Sequence, residues 1–149
     1  MKTLLLLCGA LLLAGRSHAQ LISSDLVPPL AFVALQQHYP LATRVQWKKT
    51  QGLYQASFTQ GQVQQSVRFT DYGDVEATGA PLTLSALPAS VRLTLAAHYP
   101  SRIVCQAAKF VNARTKAITY ETATCESSIS RTLVFTADGR KMRRPATNK

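Results

Sequence analysis

Two histidines are the first residues to consider for chemistry in this chain, because each lies in the same tripeptide. His-Tyr-Pro occurs at residues 38–40 and again at residues 98–100. A pair of imidazoles could hold a metal ion or serve as an acid and a base. Each histidine also ends a predicted helix, where an imidazole interacts favourably with the last carbonyl groups. A duplicated helix stop explains the repetition without requiring the copies to meet, so we favour this structural interpretation of His38 and His98.

The other groups that could carry catalysis do not form a recognisable site. Asp71 and Asp74 flank a turn, and Glu121 and Glu126 lack the spacing of a glycosidase pair or a metal cage. The sequence contains no Gly-x-Ser-x-Gly nucleophile elbow and no glycine-rich phosphate loop. We therefore predict that the protein is not an enzyme and has no cofactor, no metal and no catalytic residue.

The first 19 residues have the three-part pattern of a secretory signal peptide. Lys2 precedes an apolar run, and Ser17-His18-Ala19 supplies small residues before a cleavage site. The run is shorter than the roughly 20 residues that a membrane-spanning helix needs. We predict cleavage after Ala19 and an exported protein, periplasmic or extracellular, with no transmembrane segment after cleavage.

Cysteine usage also fits export. Of the three cysteines, Cys8 belongs to the predicted signal peptide, which leaves Cys105 and Cys125 as an even pair. In an exported protein such a pair defaults to a disulfide, and without a Cys-x-x-Cys motif a metal or redox pair is disfavoured. The two residues lie symmetrically about a predicted turn near Thr115, so they would face each other across a hairpin. We predict a structural disulfide, and which face of the sheet carries it stays open.

Basic charge is concentrated in the second half of the chain. Removal of Lys2 and Arg16 from the 17 basic residues leaves 15, against 7 acidic residues. Residues 20–82 are balanced, and the excess is densest at residues 140–144. A basic face can bind an acidic protein or an anionic component of the cell envelope. Export and the lack of a nucleic-acid-binding motif argue against nucleic acid as a partner.

Candidate partner-binding residues come from this basic excess and from predicted hairpin tips at residues 48–52 and 112–116. Tryptophan is included because it often anchors interfaces, although a single tryptophan on an alternating strand is also typical of a core. The candidates are Trp47, Lys48, Lys49, Arg114, Lys116, Arg140, Lys141, Arg143 and Arg144.

The elements that must position these residues follow the tripeptide repeat. Each copy ends an apolar segment that begins with proline, and strand-like sequence follows as far as Phe-Thr-x-x-Gly-like turns at residues 69–73 and 135–139. Residues 78–87 are predicted to connect the two copies. The predicted fold class is α+β, with two tandem helix-plus-β-meander repeats that form an antiparallel sheet with the helices packed on one face.

The second copy resembles a known family through residues 88–91, 98–100 and 135–139. This pattern of a proline start, a helix ending in an aromatic-Pro pair and a β-meander with an Asp-Gly turn is similar to the PepSY-like, β-lactamase-inhibitor-like family of exported bacterial proteins. The first copy resembles it more loosely. The implied domains are a signal peptide at 1–19 and two PepSY-like repeats at 20–82 and 83–149.

The resemblance implies a non-enzymatic exported binding module with an inhibitor-like role toward a protein partner whose identity is open. The alternative is an envelope-associated structural protein that uses its basic face to bind an anionic surface component. The sequence predicts that any specific function lies in the additions of the second copy, which are the cysteine pair and the basic excess, or on the hairpin tips.

Overall fold

One antiparallel sheet dominates the computed structural model, which describes residues 21–100, 104–124 and 131–143. Its eight strands follow one another in chain order, and the sheet curves as a half-barrel. The strands are β1 (Leu21–Ile22), β2 (Thr43–Thr50), β3 (Leu53–Gln60), β4 (Val63–Phe69), β5 (Val75–Leu82), β6 (Val104–Asn112), β7 (Ile118–Thr124) and β8 (Thr132–Thr136). The helices are α1 (Pro29–His38) and α2 (Ala89–His98), each preceded by a 3-10 turn, at Ser24–Leu26 and Leu84–Ala86. The predicted signal peptide at 1–19, Cys125 and Arg144 lie outside the described residues.

Prolines delimit both short helices. Pro28 and Pro88 take the N-cap positions with non-helical backbone angles, and proline near a helix start costs no hydrogen bond. Pro40 and Pro100 follow the C-cap tyrosines, and a proline disfavours helical geometry in the residue before it. Neither helix is long and apolar enough to cross a membrane.

Two glycine turns seat the helices against the sheet. Gly73 and Gly139 have φ angles of +85° and +83°, which other residues adopt only with strain. A Cβ atom on Gly73 would lie 2.6 Å from the carbonyl oxygen of Leu30, and one on Gly139 would lie 2.6 Å from that of Ser90. Each turn therefore contacts its helix backbone directly, at a distance that only glycine permits.

The helices cover one face of the sheet, and two separate clusters of buried side chains lie between them and the strands. The first core consists of Val27, Ala31, Ala34, Leu35, Trp47, Tyr54, Ala56, Phe58, Val67 and Phe69. The second core consists of Leu87, Val91, Ala107, Leu133 and Phe135. Alternation along each strand explains the membership, because every second side chain points toward the helix.

The predicted α+β organisation, with two helix-plus-meander repeats, is wrong. The chain forms one continuous eight-stranded sheet with two short helices, and residues 78–87, predicted to be a connector, supply most of β5. Gly79 and Pro81 suggested a break in regular structure. Pro81 is tolerated because pairing with β4 ends at Gly79, so the missing N–H costs little there. β5 pairs with both β4 and β6 and thereby joins the halves into a single sheet.

Candidate functional site

The side of the sheet away from the helices forms a polar groove. Because neighbouring side chains point to opposite faces, the alternation that buries the first core leaves Gln55, Ser57 and Arg68 on this other side. The space here measures about 660 Å³ and is lined from β2 to β8, almost the full width of the sheet. We call it the groove; its polar lining includes Arg44, Gln46, Lys48, Ser57, Ser66 and Gln106.

One ion pair spans the middle of the sheet below this space. Arg68 on β4 donates through Nη1 to Oε1 of Glu121 at 2.8 Å and through Nη2 to Oε2 at 2.7 Å. Glu121 lies on β7, with β5 and β6 between, so a flat sheet would separate the two backbones by roughly 14 Å. Curvature of the sheet lets the side chains meet. Both are nearly buried, with 9% and 12% of their side-chain surface exposed.

Arg68 is held by two further contacts. Its Nε donates to Oε1 of Gln55 at 2.9 Å, and its guanidinium carbon lies 3.8 Å from the centre of the Phe110 ring. The ring in turn lies against Gly79, where any Cβ atom would overlap it. A bidentate, ring-stacked arginine has little freedom to move. We call Gln55, Arg68, Phe110 and Glu121 the groove floor, and it is a fixed polar platform.

Two more cations line the groove from β2. Lys48 is opposite Gln55 in the β2–β3 register and is partly buried. This burial, and then the positive charge of Arg68, lower the pKa of Lys48 below its usual value, while Glu121 acts in the opposite direction. Arg44 lies at a β-bulge with φ +54°, a left-handed conformation that costs a non-glycine residue about 1–3 kcal/mol. Bulges of this kind re-aim side chains and are common beside functional sites.

The predicted binding residues on β2 point to different faces. Lys48 lines the groove. Trp47 is only 4% exposed and packs against Phe69, with ring centres 6.0 Å apart, so it contributes to the first core. Lys49 lies on the helix side, where its Nζ donates to the Tyr54 hydroxyl at 3.1 Å.

The remaining predicted binding residues lie away from the groove lining. Arg114 and Lys116 are exposed on the turn between β6 and β7. Arg140 pairs with Asp138 at 2.7 Å in full contact with solvent, and Lys141 lies 5.5 Å from the centre of the Tyr99 ring. These residues and Arg143, which is exposed, occupy separate places on the surface, and their role in partner binding stays a prediction.

The two histidines end their helices and are exposed to solvent. His38 is the last residue of α1 and His98 the last residue of α2. Among the described residues, no group of three His, Cys, Asp or Glu side chains could hold a metal ion.

The cysteine pair is described only in part. Cys105 is exposed on β6, with its Sγ 3.6 Å from the carbonyl oxygen of Ala123 on β7. The β6–β7 register ends at Val104 opposite Thr124. Because Cys125 itself lies outside the described residues, the disulfide stays a prediction.

Sequence reasoning missed the groove floor. The apolar residues of each alternating strand were used to identify core positions, and the polar residues between them were given no role. The signal was present in Gln55 and Arg68, which lie between buried apolar neighbours on central strands, where a polar side chain needs a partner. Glu121 was considered only for metal binding and catalysis, and its partner lies 53 residues away in the sequence.

No protein-family model matches the chain, and no curated protein matches it. Solved structures share its fold. A predicted periplasmic protein of Bacteroides eggerthii is 21% identical, with a TM-score of 0.58 over 78% of this chain and 86% of that one. A DUF2874 family protein of Bacteroides uniformis is 20% identical, with a TM-score of 0.57 over the same shares. A BLIP-like protein of Bacteroides fragilis is also 20% identical, with a TM-score of 0.51 over 80% of this chain and 86% of that one.

At these identities the likeness shows the fold, and it covers most of the chain in each case. The BLIP-like structure agrees with the resemblance to β-lactamase-inhibitor-like proteins at the level of fold. The PepSY-like assignment and the assignment of two tandem copies of that family find no support in these matches and stay predictions.

Proposed function

We propose that this chain is an exported binding protein without catalytic activity of its own, which holds a protein partner in the groove in the manner of an inhibitor. The observation that carries the proposal is the groove floor. Its arginine is fixed by two hydrogen bonds to Glu121, by a third to Gln55 and by the Phe110 ring. A platform that is ordered before binding loses little conformational entropy when a partner arrives.

Similar structures supply independent support for this kind of role. One is a BLIP-like protein and another is a predicted periplasmic protein, and both are similar in fold to this chain. The signal-peptide pattern at residues 1–19 fits the same compartment.

Site-specific photocrosslinking tests which face binds. A benzophenone amino acid replaces Ser57 in the groove or, as the matched control, Leu93, which is 70% exposed on α2. The full-length proteins are irradiated in an envelope extract of the producing organism. We expect a discrete adduct from position 57 and none from position 93.

An adduct from position 93 alone would place the binding surface on the helix side and contradict the proposal. Turnover of peptide, sugar or ester substrates by the purified protein, lost in His38→Ala or His98→Ala, would contradict the non-enzymatic role.

A further inference from the structure

The charges in the groove are not balanced. Three cations face it or form its floor, and Glu121 is the one carboxylate among the groove residues that the structure describes. Both oxygens of Glu121 are already bonded to Arg68. Within the described ranges, no carboxylate lies within salt-bridge distance of Lys48 or Arg44. The lining therefore carries two positive charges that the described part of the chain does not compensate by contact.

The position of Lys48 makes this excess costly in the free protein. Its side chain is partly buried, and this burial and then the positive charge of Arg68 lower its pKa, while Glu121 acts in the opposite direction. A carboxylate brought beside Lys48 would offset both costs, because an attraction between opposite charges grows as water is excluded. Arg44, held in a left-handed conformation at the bulge, adds a second cation on the same strand.

The rest of the lining fits an extended polypeptide. Ser57 and Ser66 bridge neighbouring strands with their hydroxyl oxygens 2.9 Å apart, and Gln46, Gln64 and Gln106 present side-chain amides around them. Amides and hydroxyls both donate and accept, so they can bond the N–H and C=O groups of a backbone. A groove across seven strands has room for a loop rather than a single small anion.

We propose that the groove recognises an acidic loop of its protein partner, whose aspartate or glutamate side chain is received by Lys48 and Arg44 above the Arg68–Glu121 pair. This inference rests on the proposed function and adds the chemistry of the partner to it. Arg68 takes the role of a support, since its bidentate and Nε hydrogen bonds are committed to Glu121 and Gln55.

Zero-length crosslinking tests the inference directly. A carbodiimide joins an amine to a carboxylate only where the two are in contact. The full-length protein, with benzophenone at position 57, is captured with its partner and then treated with carbodiimide, and peptide mass spectrometry locates the new amide bonds. We expect a bond between Lys48 and an Asp or Glu residue of the partner.

Two single-charge variants provide matched measurements. Lys48→Gln and Lys49→Gln remove the same charge from adjacent residues on opposite faces of β2. We expect Lys48→Gln to reduce photoadduct yield about tenfold or more, as for a lost charge pair at an interface, and Lys49→Gln to leave it nearly unchanged. The fold disfavours the charged form of Lys48, so Lys48→Gln should unfold at the same or higher denaturant concentration than the wild type.

The outcomes separate the two proposals. A photoadduct from position 57 without a Lys48–carboxylate bond, and with equal yields from both variants, would overturn the acidic loop and leave the binding face intact. Absence of any adduct from position 57 would overturn both. A Lys48 bond to an Asp or Glu of a second copy of this chain, found in an adduct of twice the mass of one chain, would identify that copy as the occupant and would also overturn the inference.

Discussion

The first and second cores each consist of side chains from one short helix and from the sheet, but they differ in the size and number of the buried side chains. Trp47 is opposite Ala56 in the β2–β3 register, and Ala107 is opposite Thr122 in the β6–β7 register. The tryptophan of the first core is thus replaced by alanine in the second. Among the described residues, ten buried side chains make up the first core and five make up the second.

Threonines occupy buried positions beside the second core. Thr122 and Thr124 are both 0% exposed. Within the part of the chain that the structure describes, the Thr122 hydroxyl has no hydrogen-bond partner, whereas that of Thr124 bonds the backbone of Arg131. A smaller core with an unpaired hydroxyl should contribute less to stability. From the described residues we therefore expect the first core to contribute more to the free energy of unfolding than the second.

The largest expected effect is in the first core. Trp47→Ala should lower the free energy of unfolding by about 4 kcal/mol, because it removes a large buried ring and leaves a cavity. Urea denaturation of the purified protein measures it. Phe135→Ala, in the second core, should cost about 3 kcal/mol, the low end of the range for a buried aromatic. An equal or larger loss of stability in Phe135→Ala would contradict the expectation that the first core contributes more to stability than the second.

The next effect concerns the predicted disulfide. If Cys105 and Cys125 are bonded, the double serine variant should lose about 3 kcal/mol of stability, because its unfolded chain is no longer restricted by a closed loop. Denaturation of the wild type and the variant under oxidising conditions measures the loss. The difference between the two proteins should disappear when a reducing agent is present. Complete thiol alkylation of the untreated native protein, without prior reduction, would show that no such bond exists.

The glycine turns at Gly73 and Gly139 contact the helices in the same way in both halves, so substitutions in the two turns should have similar effects on stability. Gly73→Ala and Gly139→Ala should each cost about 2 kcal/mol or more, since both force a left-handed conformation and a clash with the helix backbone. Gly52→Ala, with φ +78° and open space around it, is the control and should cost about 1 kcal/mol. Thermal unfolding is sufficient to rank the three. A much smaller cost at Gly139 would mean that α2 is seated more loosely than α1.

The smallest effect distinguishes the two buried threonines. Thr122→Val should raise the free energy of unfolding by about 1 kcal/mol, because it replaces an unpaired hydroxyl by a methyl group of similar shape. Thr124→Val should lower it by about the same amount, because it breaks bonds to Arg131. Chemical denaturation of both variants compares them, and destabilisation by Thr122→Val would show that its hydroxyl is satisfied in solution.

Local features could be predicted from sequence where a residue acts on its immediate neighbours. Pro40 and Pro100 ended the helices as expected, and alternation located the strands that contain Tyr54 and Phe69. β5 could not be recognised, because Gly79 and Pro81 are strand-breaking residues whose tolerance depends on Phe110 and on the end of β4 pairing. The error in fold class followed from that one strand.

The groove floor depends on a longer-range contact still. Nothing in the sequence near Arg68 indicates Glu121, since only the curvature of the whole sheet brings them together. Lys48 was selected among the binding residues for its position near a hairpin tip, and the structure puts it in the groove for a different reason, the parity of β2.

The ion pair across the groove also has a consequence for the order of events in folding. Its two residues belong to different halves of the chain, and contacts so distant in sequence form only after a large loop has closed. All residues of the first core precede β5, so we expect the first half to bury its core before β7 joins the sheet, whereas the platform is incomplete until β7 has joined. A chain truncated before residue 121 therefore lacks the Arg68–Glu121 pair, and the proposed binding face is complete only in the finished molecule.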